Sequence, residues 1–424
     1  MKRLFGLALA GLLVLGVFSA PAVADGNIVK VMTRNQYVGA DLTPVILEPT
    51  PDAVATAFAQ IAANDFPLRA RRLAMEVALT KPDLIGLQEV FDFKLNGVNV
   101  GPPFVDHLTE TLDALAAKGQ SYVVAAIVVN LDITIPFDVN GDGEEESVSV
   151  VDRDVILARK GVTFTKLGGD YTAGGLCGFP IPNPVPVLPF PATLQSLPSA
   201  DGCNYTIVAQ VDTPLGPIII ERGFVGVDAT VRGKSYRFMN THLEVRQPDP
   251  TDPNSAIFQF LQSVELVETL QALTPPDLTL ILLGDFNSSP EDVAVDAITP
   301  PYQILVGADL ADVWNTNSLT FFDPDGFTYC QLADLSNTTS LLDERIDIIF
   351  VRGTSFLPLA FVTGRVPIFP LSQPPNWASD HGGVFGELIF SPEALAAGSR
   401  AKSEAAFAQG PGVRSETYDS LPRQ

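Results

Sequence analysis

Short apolar, β-branched runs alternate along the chain with segments whose apolar residues recur at helical spacing. Ile28–Thr33 is a β-prone run and Asp83–Gln88 is a second. Between them the helical spacing occurs twice, separated by a break at 64–67: first Val54, Phe58 and Ile61, then Leu73 and Val77. This pattern predicts a strand, two helices and a second strand.

The same alternation continues to residue 389. The predicted elements are a helix marked by Phe104, Leu108, Leu112 and Leu115, strands at Tyr122–Asn130 and Val148–Leu157, a hairpin of Phe224–Val231 with Tyr236–Thr241, a helix carrying Ile257, Phe260, Leu261 and Val264, and strands at Leu278–Leu283, Ile346–Val351 and Val384–Ile389. Strands and helices that alternate in two halves predict an α+β fold with a mixed sheet core and helices on its outer faces.

The first 24 residues have the order of a secretory signal peptide: basic residues, an apolar run and a small-residue cleavage pattern. The alternative is a membrane anchor, but the run is short for a bilayer span. We expect a soluble mature chain of 424 − 24 = 400 residues, secreted or periplasmic, without a later transmembrane segment. Length permits one elaborated domain or two, and we favour one over 25–391.

Acidic residues dominate the mature chain. Removing Lys2 and Arg3 leaves 26 − 2 = 24 basic residues against 49 acidic ones, a net charge near −25. Such a surface repels polyanions unless a metal or a local basic patch intervenes. Tight, nonspecific binding of nucleic acid is therefore disfavoured, whereas nuclease chemistry with weak substrate binding is not excluded.

Two segments depart from the strand and helix pattern. A proline-rich insert at 177–203 is bracketed by Cys177 and Cys203, which are the natural disulfide pair because Cys330 lies far downstream. Three unpaired, buried thiols are the alternative. The segment at 392–424 has few large apolar residues, and we expect a helical stub followed by a low-complexity tail.

Polar residues collect at the ends of the predicted strands, where layered sheet proteins carry their active-site groups. The segments are Thr33-Arg34-Asn35, Gln88-Glu89-Val90, Asn240-Thr241-His242-Leu243-Glu244, Gly284-Asp285-Phe286-Asn287, Arg345-Ile346-Asp347 and Ser379-Asp380-His381. Of only three histidines, His242 and His381 lie inside these segments, which favours proton transfer over a structural role. His107 lies on a predicted amphipathic helix, and we interpret it as a surface or packing residue.

Taken in order, these segments resemble the endonuclease/exonuclease/phosphatase superfamily, which includes pancreatic-type deoxyribonucleases, apurinic endonucleases, bacterial sphingomyelinases and inositol-polyphosphate phosphatases. The resemblance spans nearly all of 28–390. It implies a four-layer α/β/β/α sandwich of two mixed sheets flanked by helices, and a divalent cation, Mg²⁺ or another such as Mn²⁺, held at one end.

The resemblance also implies roles for individual residues. Glu89 resembles the family's metal carboxylate, and a hard cation suits such a ligand. Asp380 would be a second metal contact. Asp285 and Asn287 resemble the pair that orients the attacking water and holds a phosphate oxygen, with Asn35 as a further polar contact.

Asp347 and His381 resemble the family's carboxylate–histidine couple, in which the carboxylate fixes the imidazole tautomer. His242 matches a second histidine found in the deoxyribonuclease and sphingomyelinase branches, as a phosphate ligand or general acid whose carboxylate partner is open. Arg153 is our candidate for the family's phosphate-binding arginine.

A second motif competes for a metal ion. Asp138, Asn140 and Asp142 reproduce the first half of a calcium-binding loop, but Ser149 stands where the loop's final acidic residue is expected. We favour a solvated hairpin turn over a structural Ca²⁺ site.

These residues predict a secreted, metal-dependent phosphoester hydrolase without an obligate protein partner. A non-catalytic, calcium-stabilised binding protein on the same scaffold is the alternative, but the catalytic groups that degeneration removes are all present. The substrate class stays open among nucleic acid, phospholipid and a small phosphorylated metabolite.

Overall fold

The computed structural model describes residues 27–390, except for 49, 187–189, 214–215, 247–252, 318, 354–355 and 368–373. The predicted signal peptide over 1–24 and the predicted tail over 392–424 lie outside the described residues. None of the helices in the described part combines the length and the apolar character needed to cross a membrane.

The described chain contains the following strands: β1 Ile28–Asn35, β2 Leu84–Gln88, β3 Asp92–Leu95, β4 Tyr122–Phe137, β5 Glu146–Arg159, β6 Thr163–Lys166, β7 Ile181–Pro182, β8 Thr193–Leu194, β9 Leu197–Ser199, β10 Gly202–Asn204, β11 Ala209–Thr213, β12 Gly216–Ile220, β13 Gly223–Val231, β14 Lys234–His242, β15 Thr279–Asp285, β16 Ala311–Asp312, β17 Asp347–Arg352, β18 Leu357–Thr363 and β19 Gly383–Ile389. Its α-helices are α1 Thr43–Leu47, α2 Pro51–Ala63, α3 Phe66–Thr80, α4 His107–Ala117, α5 Pro253–Leu273 and α6 Pro301–Gly307, with short 3₁₀ turns at Tyr171–Ala173 and Trp314–Thr316.

Most strands belong to two mixed sheets. The first has the order β18-β19-β1-β2-β5-β3, with β4 also paired to β5, and the second has the order β16-β17-β15-β14-β13-β10-β9, with β6 paired to β13. Each contains one parallel pair, β1 with β2 and β14 with β15, while its other pairs are antiparallel. In each parallel pair the carboxyl ends of the two strands therefore lie at the same edge of their sheet.

The two sheets pack face to face around an apolar core. Val31 and Leu84 of the first sheet and Phe238 and Ile281 of the second belong to this core and are almost fully buried. Alternate residues of the same strands point outward, where α3 and α4 cover the first sheet and α5 and α6 cover the second. This arrangement is the four-layer α/β/β/α sandwich that the family resemblance implied.

Helix α3 shows how local sequence positions a layer. The side chain of Asp65 caps its first turn by accepting a hydrogen bond from the backbone N–H of Leu68, and Pro67 occupies an early position that needs no hydrogen bond. Leu73 and Val77 then repeat at helical spacing and face the sheet. The predicted pair of helices between β1 and β2 is therefore found as α2 and α3, and the short helix α1, which was not predicted, precedes them.

The proline-rich insert is largely extended, and its described residues contain the short strands β7, β8 and β9 and the beginning of β10. Cys177 and Cys203 form a disulfide across it, and Cys330 is unpaired. The predicted pairing is confirmed in the structure.

The motif with Asp138, Asn140 and Asp142 connects the long hairpin of β4 and β5. Its side-chain oxygens accept hydrogen bonds from backbone N–H groups of the turn itself, including Gly141 N to Asp138 Oδ1 at 2.7 Å and Asp142 N to Asn140 Oδ1 at 2.8 Å. These contacts account for the polar residues as turn-forming groups, which agrees with the favoured interpretation.

Candidate active site

The predicted catalytic segments meet at the shared edge of the two sheets. Asn35 pairs with Gln88 at the ends of β1 and β2, and His242 pairs with Asp285 at the ends of β14 and β15. Asp285 also lies opposite Asp347 at the start of β17. Because the paired strands are in register, side chains that are distant in sequence converge on one small buried volume.

His381 and Asp347 form the expected couple. Nδ1 of His381 lies 2.8 Å from Oδ2 of Asp347, and both residues are buried. Burial opposes a charge on the imidazole, but Asp347, Asp380 and Asp285 outweigh it and raise the pKa of His381 to about 10. Without a bound cation, these carboxylates favour the protonated imidazole, which donates from Nδ1 to Asp347.

Asp285 lies between the two histidines. Its Oδ2 is 3.8 Å from Nε2 of His381 and 3.7 Å from Nε2 of His242, and it accepts a hydrogen bond from Asn35 Nδ2 at 3.0 Å. Burial, followed by the charge of Asp347, raises the pKa of Asp285 to about 7. A carboxyl group with this pKa can accept a proton near neutral pH.

Glu89 lies next to this cluster, just beyond β2, where its φ of 55° turns the chain sharply. Its Oε1 accepts a hydrogen bond from Asn35 Nδ2 at 2.9 Å and its Oε2 accepts one from the backbone N–H of Val38 at 2.8 Å. Asn35 thus connects Glu89 to Asp285. Burial raises the pKa of Asp380 to about 6, and the charge of Glu89 adds to this effect while His381 opposes it.

This set of donors fits a divalent cation. Several carboxylates lie close together at this edge, and burial, reinforced by neighbouring carboxylates, raises the pKa values of Asp285 and Asp380. Asp285, Asp347 and His381 also have one ligand atom each within 4.8 Å of one another. The hydrogen bond to Asp347 occupies Nδ1 of His381, so this ring has only Nε2 left as a ligand atom for a cation.

His242 has an arginine, and not a carboxylate, as its nearest partner. Nη1 of Arg222 lies 3.1 Å from Nδ1 of His242, and a guanidinium can only donate, so Nδ1 accepts and Nε2 carries the proton. Burial, Arg222 and His381 together lower the pKa of His242 well below its ordinary value. His242 is therefore a neutral hydrogen-bond donor whose Nε2–H faces Asp285.

Arg222 is the residue that sequence reasoning missed. Its Nη2 lies 3.5 Å from Oε1 of Glu244, and although burial opposes its charge, Glu244 and Asp152 raise its pKa above the ordinary value. Asp154 also faces this group, with Oδ1 at 3.9 Å from Nδ1 of His242. A carboxylate therefore lies near His242, but beyond hydrogen-bonding distance.

The structure gives Arg153 a different place from the one we predicted. Its guanidinium donates to the backbone carbonyls of Val90 and Phe91 and forms an ion pair with Asp106. Since side chains alternate along β5, Arg153 points away from the face that presents Asp152 and Asp154. Arg153 therefore lies outside the cluster, whereas Arg222 places a guanidinium beside His242.

Two further residues from the sequence analysis are Asn287, which lies beside Asp285, and His107. Asn287 has a φ of 46°, its backbone N–H donates to Asp285 Oδ1 at 3.0 Å, and its side-chain Nδ2 donates to the carbonyl of Leu243 at 3.0 Å. It thus fixes the carboxylate of Asp285. His107 is fully buried and stacks on Phe66 with ring centroids 3.5 Å apart, which is a packing role.

Tyr329, which the sequence pattern did not single out, packs against His381. The ring centroid of Tyr329 lies 4.8 Å from that of His381. The neighbouring Thr328 accepts hydrogen bonds through Oγ1 from the backbone N–H groups of Ile346 and Asp347, and its carbonyl accepts one from Gly382. The segment around Thr328 therefore joins the two halves of the couple.

The fold and the site together define a sandwich of two sheets with a buried histidine–carboxylate cluster at one edge. The chain belongs to the endonuclease/exonuclease/phosphatase family, whose sequence model matches residues 58–381. Members of this family are metal-dependent phosphoester hydrolases. No curated protein matches the sequence.

Solved structures are similar to this chain at low sequence identity. Truncated Caenorhabditis elegans TDP2 is 14% identical with a TM-score of 0.44, and the match covers 87% of this chain and 99% of that one. A family protein from Bacteroides thetaiotaomicron is 17% identical with a TM-score of 0.44, covering 86% and 98%. One from Beutenbergia cavernae is 16% identical with a TM-score of 0.45, covering 87% and 76%.

Proposed function

We propose that this chain is a secreted, metal-dependent phosphoester hydrolase. The observation that carries the proposal is the position of Asp285, whose Oδ2 lies within 4 Å of Nε2 of both His242 and His381 while Asn35 links it to Glu89. A carboxylate placed between two histidines and beside a metal-type carboxylate suits in-line attack of water on phosphorus.

Each residue has a chemical task in this proposal. Glu89 and Asp380 would hold Mg²⁺ or Mn²⁺, which supplies positive charge against the phosphoryl oxygens. Asp285 orients the attacking water and accepts its proton, because its pKa of about 7 lies near the working pH. Asn287 keeps the Asp285 carboxylate in place.

The two histidines differ in charge and therefore in role. His381, protonated and held by Asp347, stabilises the negative charge that develops on the phosphoryl group. His242 is neutral and donates from Nε2 to a phosphoryl oxygen, with Arg222 fixing its tautomer and adding positive charge. Neither role requires the two residues to exchange a proton with each other.

Secretion is supported by the first 24 residues of the sequence and by the Cys177–Cys203 disulfide, a bond that persists in oxidising compartments. Charge favours a small phosphoester over a polynucleotide. The β4–β5 hairpin carries acidic residues and no lysine or arginine between 131 and 151, and Arg246 beyond β14 is already paired with Asp292 and Glu344. A phospholipid or a small phosphorylated metabolite is therefore our preferred substrate class.

The proposal is tested by assaying purified protein against plasmid DNA, sphingomyelin, inositol phosphates and bis(p-nitrophenyl) phosphate, with and without a chelator. We expect divalent-ion-dependent hydrolysis that Glu89→Gln nearly abolishes. Glu387→Gln is the control, because Glu387 pairs with Lys30 on the outer face of β19. Full activity after exhaustive chelation, or in Glu89→Gln, would refute the metal assignment, and no activity on any substrate would favour a binding protein on this scaffold.

A further inference from the structure

Arg69, on α3, is a buried cation with no ion-pair partner. Its exposed fraction is 0%, and no carboxylate oxygen among the described residues lies within salt-bridge distance of it. A buried charge is costly unless other groups satisfy it. The contacts that replace a counter-ion therefore indicate what the residue does.

Backbone carbonyls take the place of a counter-ion. Nη1 donates to Gln36 O at 2.6 Å and to Ala378 O at 3.2 Å, Nη2 donates to Tyr37 O at 3.0 Å, and Nε donates to Asn64 O at 2.9 Å. The planar fork of arginine thus connects two loops that are more than 300 residues apart in sequence.

Both segments carry residues of the proposed metal site, which contains Glu89 and Asp380. The first contains Asn35 and Val38, which hydrogen-bond the two carboxylate oxygens of Glu89. The second contains Asp380, two residues after Ala378. Arg69 therefore contacts both segments through their backbone carbonyls, and no ion pair joins it to either carboxylate.

Packing confines the guanidinium to this position. It lies 4.8 Å from the ring centroid of Phe66 and 5.7 Å from that of Tyr37, and His107 also stacks on Phe66. Gly39, with a φ of +104°, leaves space for it, because a Cβ there would lie 3.3 Å from Nη2. Displacing the guanidinium would disturb several buried rings at once.

We propose that Arg69 is a positioning residue of the metal site, holding the loops that carry Asn35 and Asp380 at the spacing that Glu89 and Asp380 need to bind a divalent cation. The inference rests on the proposed function, since it takes Glu89 and Asp380 as the metal ligands. Groups that orient metal ligands from behind typically change metal affinity 10- to 100-fold when they are removed.

The test is a Mn²⁺ titration of the purified, chelator-stripped protein, followed by electron paramagnetic resonance of the free ion. We expect Arg69→Met to raise the Mn²⁺ dissociation constant roughly 10- to 100-fold. Arg69→Lys keeps the charge, but a single ammonium cannot span carbonyls on both loops, so we expect a smaller loss in the same direction.

The matched control is Arg237→Met. Arg237 is also buried, donates to the carbonyl of Leu273 and pairs with Asp228, but it lies near the start of β14, at the opposite end from His242. We expect this variant to melt at a lower temperature and to bind Mn²⁺ as the wild type does. The comparison separates a general loss of stability from a specific effect on the metal site.

The outcomes are distinct. A folded Arg69→Met protein whose Mn²⁺ dissociation constant stays within about twofold of the wild-type value would overturn the inference and leave the proposed function intact. If the methionine variant does not fold, wild-type affinity in Arg69→Lys overturns it in the same way. Wild-type protein that binds no Mn²⁺ would overturn the proposed function, and this inference with it.

Discussion

Replacing Asp347 by asparagine should release the proton that His381 holds. The pKa of His381 is about 10, against an ordinary value near 6.5, although burial alone would lower it. The difference of about 3.5 units corresponds to roughly 5 kcal/mol in favour of the imidazolium. Asp347 makes the largest contribution to this preference, ahead of Asp380 and Asp285.

Asparagine keeps the shape of Asp347 and removes its charge. Because an opposite charge at this distance shifts a pKa by about 1 to 3 units, we expect the pKa of His381 to fall to roughly 7 to 9 in Asp347→Asn. The raised pKa determines how the stability of the folded protein changes with pH. The imidazolium contributes fully below the unfolded value near 6.5, and its contribution is lost as pH rises through about 10 in the wild type and at lower pH in the variant.

The assay is a nuclear magnetic resonance titration of the imidazole Cε1–H signals in the presence of a chelator. The sequence contains only three histidines, so His242→Gln and His381→Gln suffice to assign the signals. In wild-type protein His381 should stay protonated from pH 6 to 9, whereas in Asp347→Asn it should titrate inside that window, and turnover should fall by roughly two orders of magnitude or more. The double variant with His381→Ala should be little slower than His381→Ala alone, because the pair acts as a unit.

Two results would contradict this reasoning. One is a His381 titration curve that is the same in wild type and Asp347→Asn, since the carboxylate would then not hold the proton. The other is a double variant whose loss of turnover is the product of the two single losses. Circular dichroism of each variant is the control, since an unfolded protein would imitate the loss of activity.

Two further predictions concern the disulfide and the arginine beside His242. Replacing Cys177 and Cys203 by serine should lower the free energy of unfolding by about 3 kcal/mol, measured by urea denaturation, and peptide mapping without reduction should find the two cysteines linked and Cys330 free. Arg222→Met should raise the pKa of His242, because the guanidinium lowers that pKa in the wild type. The variant should also turn over more slowly, with unchanged Mn²⁺ affinity. If His242 titrates as in the wild type, Arg222 does not act on it.

Strand ends made most of the site predictable. A polar residue after an apolar strand has a defined location, and the in-register pairs Asn35 with Gln88 and His242 with Asp285 brought the predicted segments together. Arg222 lacked such a signal, because it precedes β13 and reaches His242 only through the pairing of β13 with β14. Arg153 adjoins two acidic residues of the site in sequence, and alternation along the strand places it on the other face.

The fold was predicted to a similar extent. A mixed sheet core and the helices α2 to α5 followed from the change of hydrophobic period, whereas the division into two sheets was implied by the family resemblance. Strand β18 was not predicted, since Pro358 interrupts its apolar run. The structure places β18 at the edge of the first sheet, where a proline is tolerated. Arg69 was not singled out, because an arginine is ordinarily exposed, although its spacing from Phe66 and Leu73 puts it on the buried face of α3.

The proposed reaction needs positive charge at the active site, whereas the rest of the protein is negatively charged. An acidic chain repels an anionic phosphoester, and the carboxylates of Glu89, Asp285, Asp347 and Asp380 intensify that repulsion where the reaction must occur. Protonated His381 and Arg222 offset only part of it, and each already faces carboxylates of its own. A divalent cation held by Glu89 and Asp380 would reverse the local sign and attract the phosphoryl oxygens, whereas an extended polyanion would still meet the acidic β4–β5 hairpin. The expected selectivity for small or neutral-tailed phosphoesters therefore comes from a positive charge confined to one point of a negative surface. Raising the salt concentration should weaken discrimination against DNA, because salt screens the exposed hairpin more than the buried site.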